Sequence, residues 1–401
     1  MNILFLTIGR ISSINERGIY LDLMCKFKEM GYSIYIATPL ERKFKEETTL
    51  VKEESIQILR IKTLNLQKTN FIEKGLGTVL MEYQYLKAIQ TYWGDVHFDL
   101  ILYSTPPITF SKVIRRYKNL YKAKTYLLLK DIFPQNAVDL NIMKKNGFLY
   151  RYFRKKERDL YALSDHIGCM SPANVEFVIK HNPEVDPCKV EVCPNSITLD
   201  SKESNTPNRS AIRKKFNIPE QATFFIYGGN LGKPQGVDFL KDILDSNRDK
   251  TDRYFIIVGS GTEYSKIQNW FELNRYPNAQ LLSALPKAEY DALAQSADVG
   301  LILLDKRFTI PNYPSRLLSY LNNSIPVLAA TDTNTDIGKI AQENNYGFWC
   351  ENGDVNTFNK HLDFYCLRPE DRKQMGHNGY SFLEKNYTTE NTYSIIMNHF
   401  S

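Results

Sequence analysis

Short apolar runs alternate along the chain with longer stretches in which apolar residues recur at helical spacing. The run Asn2–Ile8 has the length of a buried strand, and Gly18–Met30 follows with its apolar residues on one helical face. Further strand-length runs in this half are Ser33–Thr38, Ser55–Ile61, Phe98–Tyr103, Thr125–Leu129, His166–Met170 and Lys189–Val192. This alternation predicts a parallel sheet covered by helices on both faces.

The pattern breaks near Pro194, where a segment rich in Ser, Asn, Thr and Pro predicts a linker. Strand-length runs then resume at Thr223–Tyr227, Tyr254–Val258, Gln280–Ser283, Val299–Leu304 and Pro326–Ala330. The predicted class is α/β, with two doubly wound Rossmann-like domains facing a cleft. The N-terminal domain is expected over 1–196 and the C-terminal domain over 197–384. The last helix, 385–401, is a candidate to complete the first domain.

Composition narrows the class of protein. A length of 401 residues suits two domains, and 43% hydrophobic with 24% charged residues excludes global disorder. The six cysteines form no CxxC pair, so neither a zinc site nor a disulfide framework is expected. No basic region precedes the first apolar run and no run approaches 18 apolar residues, which favours a cytoplasmic protein without a signal peptide or membrane span.

The net charge of +6 is concentrated in one region, because residues 101–160 hold 14 basic and 4 acidic residues. Within it, basic and apolar side chains interleave over 144–156. Such a surface suits an anionic membrane. The predicted membrane patch comprises Lys144, Lys145, Phe148, Arg151, Phe153, Arg154, Lys155 and Lys156. A solvated helix face is the alternative, and no RNP, KH or helix-turn-helix signature supports nucleic acid as a partner.

Glycine-rich turns mark candidate phosphate sites. In 223–236 an apolar strand runs into Gly228, Gly229 and Gly232, with Lys233 close by. Glycines let backbone N–H groups approach phosphate oxygens, and a cation offsets their charge. A tight strand–helix turn is the alternative. The turn in 254–261 offers a weaker Gly-x-Gly pattern.

Two further segments carry candidate chemistry. In 310–321, Pro314 and Ser315 stand where a helix is expected to begin, with Arg316 in its first turn. Free N–H groups and an arginine suit a diphosphate, although simple capping is the alternative. Asp131 follows a predicted strand, where a carboxylate can accept a proton or bind sugar hydroxyls, or merely hold a turn.

Together these segments resemble bacterial family 4 glycosyltransferases of the GT-B fold, in particular the subgroup that transfers N-acetylated amino sugars in O-antigen and capsule assembly. The matching stretches are LLLKDIFPQNAVDL (127–140), VCPNSI (192–197), FFIYGGNLGKPQGVDFL (224–240), IIVGSGTE (256–263), SADVGLILL (296–304) and PSRLLSYLNNSIPVLA (314–329). The resemblance covers nearly the whole chain.

The resemblance implies a retaining transfer from a nucleotide sugar, with the donor in the C-terminal and the acceptor in the N-terminal domain. Its catalytic candidates are Asp131, Lys233 and Arg316. Its donor-binding candidates are Gly229, Asn230, Gly259, Leu285, Tyr313, Pro314, Ser315 and Ser319. A first loop that closes over the cleft in relatives corresponds to Gly9, Arg10 and Arg17.

The chain departs from relatives at two places. Many relatives carry two glutamates with seven residues between them, which contact the donor sugar and the ribose; the equivalent positions here are Pro311 and Ser319. Relatives also often carry an Arg and a Lys in the first diphosphate loop, where this chain has Asn230 and Gln235. Lys233 and Arg316 remain as candidate cations, and donor identity does not carry over.

The predicted function is transfer of a sugar, N-acetylated by the resemblance, from a UDP-sugar to a polyprenyl-diphosphate-linked saccharide in bacterial surface polysaccharide synthesis. No metal or other cofactor is expected. The enzyme is expected on the inner face of the cytoplasmic membrane as a peripheral protein. A nucleotide-sugar epimerase of the same fold, or a non-catalytic subunit that binds nucleotide sugar or membrane, are the alternatives.

Overall fold

The chain divides into two compact units. The computed structural model describes residues 1–65, 71–199 and 208–400. One unit comprises Met1–Thr198 with Thr389–Ser401, and the other comprises Leu199–Thr388. The boundary predicted after residue 196 lies two residues before this division, and residues 200–207 of the predicted linker lie outside the described residues.

The first unit is built on an eight-stranded sheet. Its strands are Asn2–Leu6 (β1), Ser33–Glu41 (β2), Thr49–Glu53 (β3), Ile56–Thr63 (β4), Leu100–Ser104 (β5), Lys124–Leu129 (β6), His166–Cys169 (β7) and Val190–Val192 (β8). They lie in the order β3-β4-β2-β1-β5-β6-β7-β8, and all neighbours are parallel except β3 and β4. The antiparallel β3 was not predicted.

Helices cover this sheet. They are Ile19–Glu29 (α1), Phe71–Trp93 (α2), Ser111–Tyr121 (α3), Gln135–Asp139 (α4), Phe148–Leu163 (α5) and Pro172–His181 (α6). The central strands β1 and β5 are almost wholly buried, which is why they read in the sequence as continuous apolar runs.

The second unit holds a six-stranded parallel sheet. Its strands are Thr223–Asn230 (β9), Arg253–Ser260 (β10), Ala279–Ser283 (β11), Val299–Leu303 (β12), Val327–Thr331 (β13) and Gly347–Glu351 (β14). Their order is β11-β10-β9-β12-β13-β14. The helices are Arg209–Lys215 (α7), Val237–Ser246 (α8), Tyr264–Asn274 (α9), Lys287–Gln295 (α10), Arg316–Asn322 (α11), Ile337–Glu343 (α12), Val355–Leu367 (α13) and Pro369–Asn386 (α14).

The last helix, Thr389–Met397 (α15), belongs to the first unit. The Thr389 N–H donates to the Ile197 carbonyl at 3.2 Å, and Ile396 and Met397 join the apolar core that includes β1 and α1. The sequence-based helix over 385–401 is thus split in the structure, since α14 runs through Asn386. The predicted α/β class with two Rossmann-like units is confirmed.

A buried carboxylate anchors the amino end of β9. Asp298 accepts a hydrogen bond from the Phe224 N–H at 2.8 Å and forms ion pairs with Arg213, Arg209 and Arg372 at 3.3, 2.6 and 3.2 Å. The network joins β9 to α7 and α14. It therefore holds the strand whose opposite end carries the glycine-rich turn.

Candidate functional site

The second unit has a topological switch point between β9 and β12. The chain runs from β9 to β10 and β11 on one side, and from β12 to β13 and β14 on the other. In doubly wound sheets ligands bind beyond the carboxyl ends of the strands at such a point. Gly229 and Asn230 end β9, Lys233 follows them, and Arg316 begins the helix after β12. The sequence-predicted diphosphate residues are therefore brought to one edge of one sheet.

The two glycine-rich turns pack backbone against backbone. A Cβ at Gly259 would overlap the Gly229 carbonyl oxygen, and a Cβ at Gly261 would overlap that of Leu231. Gly229 itself has φ +130°, which favours glycine. This close approach explains why position 259 is a glycine. The predicted contact of Gly259 with a nucleotide stays a prediction.

Arg316 presents an unpaired cation at this edge. Its Cζ lies 4.3 Å from the centre of the Tyr227 ring, and its Nη2 would be 3.2 Å from a Cβ at Gly229. Within the described part of the chain, Arg316 forms no ion pair and its buried Nη1 has no hydrogen-bond partner. A guanidinium stays charged and its planar donors match phosphate oxygens, so the site suits a diphosphate.

Three phenols surround the same turn. The Tyr320 hydroxyl lies 3.3 Å from the Gly228 nitrogen, and a Cβ at Gly228 would overlap the Tyr290 hydroxyl. Burial raises the pKa of Tyr227, and of Tyr290 and Tyr320 as well, so all three are neutral near pH 7. The sequence analysis missed these side chains. Tyr227 and Tyr320 lie inside quoted motifs, whereas nothing local marks Tyr290.

Lys233 and its neighbours form a short turn after β9. Lys233 is exposed, and it forms no ion pair within the described ranges. The Asn230 side-chain amide donates to Gln235 Oε1 at 2.9 Å, and the Gly232 N–H donates to the same oxygen at 3.2 Å. Asn230 and Gln235, which replace the cations of relatives, therefore bond to each other and fix the turn.

The remaining donor-binding candidates are spread along this edge. Leu285 follows β11, which is separated from β9 by β10. Tyr313 is buried, with its hydroxyl 2.5 Å from that of Tyr387. Pro314 and the exposed Ser315 immediately precede α11.

The two positions that lack the glutamates of relatives also lie near α11. Pro311 is buried before the helix, and Ser319 is partly buried within it. The Ser319 carbonyl accepts a hydrogen bond from the Asn323 side chain at 2.8 Å. Neither side chain supplies a carboxylate.

The first unit has its own switch point, between β1 and β5, and polar residues gather beside it. Asp131 follows β6; its N–H donates to Thr105 Oγ1 at 3.2 Å, and its carboxylate accepts the Asn136 amide at 2.8 and 2.9 Å. The preceding Lys130 donates to the Cys193 carbonyl at 3.0 Å, and burial lowers its pKa to about 8. Asp131 is thus held in a defined orientation at the carboxyl edge of the sheet.

Gly9 lies in the loop after β1. Its N–H donates to Thr7 Oγ1 at 3.0 Å, and its carbonyl accepts the Thr38 hydroxyl at 2.7 Å. Tyr20 packs beside Gly9 and interacts with Ser104 at the end of β5, and burial raises the pKa of Tyr20. Tyr20 and Ser104 are polar groups that the sequence analysis missed, since only the folded sheet brings them here.

The two arginines of this loop have local partners. Arg10 lies over the Phe44 ring at 4.2 Å. Arg17 pairs with the buried carboxylate of Asp22 at 3.1 Å and donates to the Thr198 carbonyl at 2.7 Å. Arg17 thereby links this loop to Thr198, the last residue of the segment Met1–Thr198.

Five of the eight predicted membrane-patch side chains are exposed on or before α5, and Phe148 reaches 85% exposure. They are Lys144, Lys145, Phe148, Arg151 and Lys155. The other three side chains are partly buried and contact other residues of the first unit. Arg154 pairs with Glu157 at 2.6 Å, Lys156 faces the buried Glu82 at 3.4 Å, and the Phe153 ring packs on Phe133. These three side chains are therefore less exposed than the other five.

In the ranges given above, no group of three or more His, Cys, Asp and Glu side chains is arranged to hold a metal ion. None of the helices described there has both the length and the apolar character needed to cross a bilayer.

Comparisons with known proteins agree with this geometry. Residues 208–382 match the family model described as "Glycosyl transferases group 1". The chain is 22% identical over 344 residues to the probable glycosyltransferase WbjE of Pseudomonas aeruginosa, which covers 85% of this chain and 84% of WbjE.

Solved structures share the fold over the whole chain. Sucrose-phosphate synthase from Thermosynechococcus elongatus has a TM-score of 0.77 at 12% identity, covering 100% of this chain and 98% of that one. HepE from Anabaena, solved in complex with UDP, has a TM-score of 0.66 at 14% identity, covering 100% and 99%. Residues 208–382 are therefore similar to the group 1 glycosyltransferases, in a chain with the GT-B fold.

Proposed function

We propose that this protein is a retaining glycosyltransferase that moves a sugar from a UDP-sugar to a polyprenyl-diphosphate-linked saccharide. The observation that carries the proposal is the unpaired Arg316 guanidinium beside the Gly228–Asn230 turn, at the switch point of a group 1 glycosyltransferase domain. WbjE's description as a probable glycosyltransferase and the UDP bound to HepE support it. The resemblance to O-antigen and capsule enzymes supports an N-acetylated sugar and a role in bacterial surface polysaccharide synthesis.

The transfer needs the diphosphate to leave. The bond between the sugar's anomeric carbon and the phosphate oxygen breaks, the acceptor oxygen bonds to that carbon, and the acceptor proton passes to the leaving diphosphate. The negative charge that develops is stabilised by fixed donors and cations. Arg316 and Lys233 supply those cations from the chain itself, and backbone N–H groups of the glycine-rich turn supply donors.

Asp131 is proposed to act on the acceptor. It lies at the carboxyl edge of the first unit's sheet, oriented by Thr105 and Asn136. A carboxylate in that place can accept a hydrogen bond from a sugar hydroxyl and so position it. Asp131→Asn should lower transfer more than it weakens nucleotide binding, and equal losses of both would indicate a structural role.

A donor screen tests the proposal. A ligand that binds only the folded protein at 100 times its Kd stabilises it by about 2.7 kcal/mol, which a thermal shift detects. UDP and UDP-sugars, N-acetylated ones foremost, should raise the Tm of the wild type, and Arg316→Met should show a smaller but measurable shift. No shift with any nucleotide sugar at millimolar concentration would contradict the proposed donor.

Because the proposed acceptor is lipid-linked, we propose that the enzyme is a peripheral protein at the inner face of the cytoplasmic membrane. α2 also exposes apolar side chains at Val79, Leu80 and Tyr83, of which Tyr83 is 66% exposed. The ion pair between Lys156 and Glu82 joins α2 and α5. The two helices together offer exposed apolar groups among cations, which suits an anionic bilayer.

Liposome binding tests this surface separately. Each exposed Lys or Arg near an anionic surface contributes about 1 kcal/mol, so neutralising Lys144, Lys145 and Lys155 should weaken binding on the order of 100-fold. Neutralising Lys339, an exposed lysine of the second unit, is the matched control. Binding should fall with salt. Absence of binding to anionic vesicles at low salt would contradict the membrane surface and leave the transfer reaction unaffected.

A further inference from the structure

The Arg316 guanidinium lies over the Tyr227 ring. The ring centre lies 4.3 Å from Cζ, within the range of a cation–π interaction. Among the residues that the structure describes, no carboxylate pairs with Arg316 and no acceptor meets its buried Nη1. An arginine side chain has several rotatable bonds, so without an ion pair its charged end is oriented by the groups packed around it, the Tyr227 ring among them.

Tyr227 is itself firmly held. It lies in β9 with 1% of its surface exposed, and its hydroxyl donates to the Asn230 carbonyl at 2.9 Å. The guanidinium that it carries lies against the backbone of Gly229. One strand residue therefore contacts both parts of the candidate diphosphate site, the cation and the glycine-rich turn.

We propose that Tyr227 is the positioning residue of Arg316, and that its ring rather than its hydroxyl performs this role. The inference rests on the proposed function, since the ligand that Arg316 would meet is the diphosphate of a UDP-sugar. With the ring in place, the guanidinium is ordered before the ligand arrives. Without the ring, binding has to order a long side chain, and affinity falls.

Three substitutions isolate the ring, measured by the Kd of UDP in titration calorimetry. Tyr227→Leu should weaken binding about tenfold, as loss of one partly desolvated cation–π contact does. Tyr227→Phe keeps the ring and should stay within about twofold to threefold of the wild type. Phe225→Leu is the matched control, because Phe225 is a buried ring of the same strand that stacks on Phe255 rather than on a cation.

Tyr227→Leu in an Arg316→Met background shows whether Tyr227 acts by positioning Arg316 or only by packing in the core. If Tyr227 acts through Arg316, then Tyr227→Leu should cause no further loss of UDP affinity in that background. An undiminished loss there would overturn the proposal, and so would equal losses in Tyr227→Phe and Tyr227→Leu.

Failure of the proposed function is recognised from the wild type. If the wild type does not bind UDP, the proposed donor is wrong, and the variants are then compared with inorganic pyrophosphate as the probe. Loss of the ring in Tyr227→Leu should weaken pyrophosphate binding by the same factor as is expected for UDP. A wild type that binds neither UDP nor pyrophosphate would overturn the positioning proposal as well.

Discussion

Replacing Arg316 with methionine tests the role of the unpaired cation. Methionine keeps much of the side chain's length and apolar contact while removing the charge and the donors. Loss of one preorganised charge-stabilising donor costs about 10²-fold to 10³-fold in turnover. We therefore expect Arg316→Met to lower kcat with a UDP-sugar donor about 10²-fold. Arg316→Lys keeps the charge without the planar donors, so its kcat should lie between those of the wild type and Arg316→Met.

The structure predicts a different result for stability. The buried Nη1 has no partner among the described residues, and an unmet buried donor costs about 1–3 kcal/mol. The lost contact with the Tyr227 ring contributes about 0.5–2 kcal/mol in the opposite direction. These terms largely cancel, so the free energy of unfolding of Arg316→Met should stay within about 1 kcal/mol of the wild type.

The assays are turnover with the donor that the thermal screen selects, and urea unfolding of the same preparations. Arg248→Met is the matched control, since Arg248 also lies over a tyrosine ring, that of Tyr276 at 5.3 Å, but precedes β10 at the opposite edge of the sheet. The control should keep its turnover. Normal turnover in Arg316→Met would refute the assignment, and a loss of more than about 3 kcal/mol in unfolding would show that Arg316 is a structural residue.

Three further substitutions test the framework of the site. Gly259→Ala should lower the free energy of unfolding by more than about 2 kcal/mol, because the added Cβ would overlap a backbone carbonyl. Gly18→Ala is the control and should be tolerated, since a Cβ there meets nothing within 4 Å. Equal Tm values for the two variants would contradict this prediction. Asp298→Asn removes one charge from a buried ion-pair network and should lower the free energy of unfolding in urea by about 3–5 kcal/mol. Asp291→Asn, at a partly exposed ion pair, should lower it by less than about 1 kcal/mol. Lys130 has its pKa lowered from 10.5 to about 8, so the unfolded state binds more protons between these values and wild-type stability rises with pH there. Lys130→Met should therefore be more stable than the wild type below pH 8, by up to about 3 kcal/mol, and this difference in unfolding free energy should vanish toward pH 10.5. A difference that does not change with pH would contradict the lowered pKa of Lys130.

The strands of both units could largely be predicted from the sequence because parallel strands are buried on both faces. β1 and β5 read as continuous apolar runs for this reason. β3 and β14 were missed because each is partly exposed and carries charged residues, so that neither a continuous run nor a clean alternation remains. A reversal at Glu54, with φ 52°, makes the β3–β4 hairpin, and no glycine marks it.

The candidate site was predictable where its chemistry is local in sequence. The glycine-rich turn and the Pro-Ser-Arg segment before α11 could be recognised because each is a contiguous motif. The contacts of Tyr290 with Gly228, and of Tyr20 with Ser104, join residues far apart in the chain and exist only once the sheets have formed.

The basic region shows a second limit of sequence reasoning. Composition counts cations without showing which of them face a carboxylate. Lys156 forms an ion pair with Glu82 of another helix, and Arg154 forms one with Glu157, so these two cations of the predicted patch are partly neutralised. Lys144 and Lys155 stay exposed.

The most direct test of the central claim is product analysis by mass spectrometry, with a UDP-sugar and a polyprenyl-diphosphate-linked saccharide as substrates. The account predicts that the lipid-linked acceptor gains one sugar and that UDP is released only when the acceptor is present. Conversion of the donor into a new nucleotide sugar without acceptor would instead show an epimerase. Nucleotide binding with no product from any donor and acceptor pair would contradict the claim of catalysis.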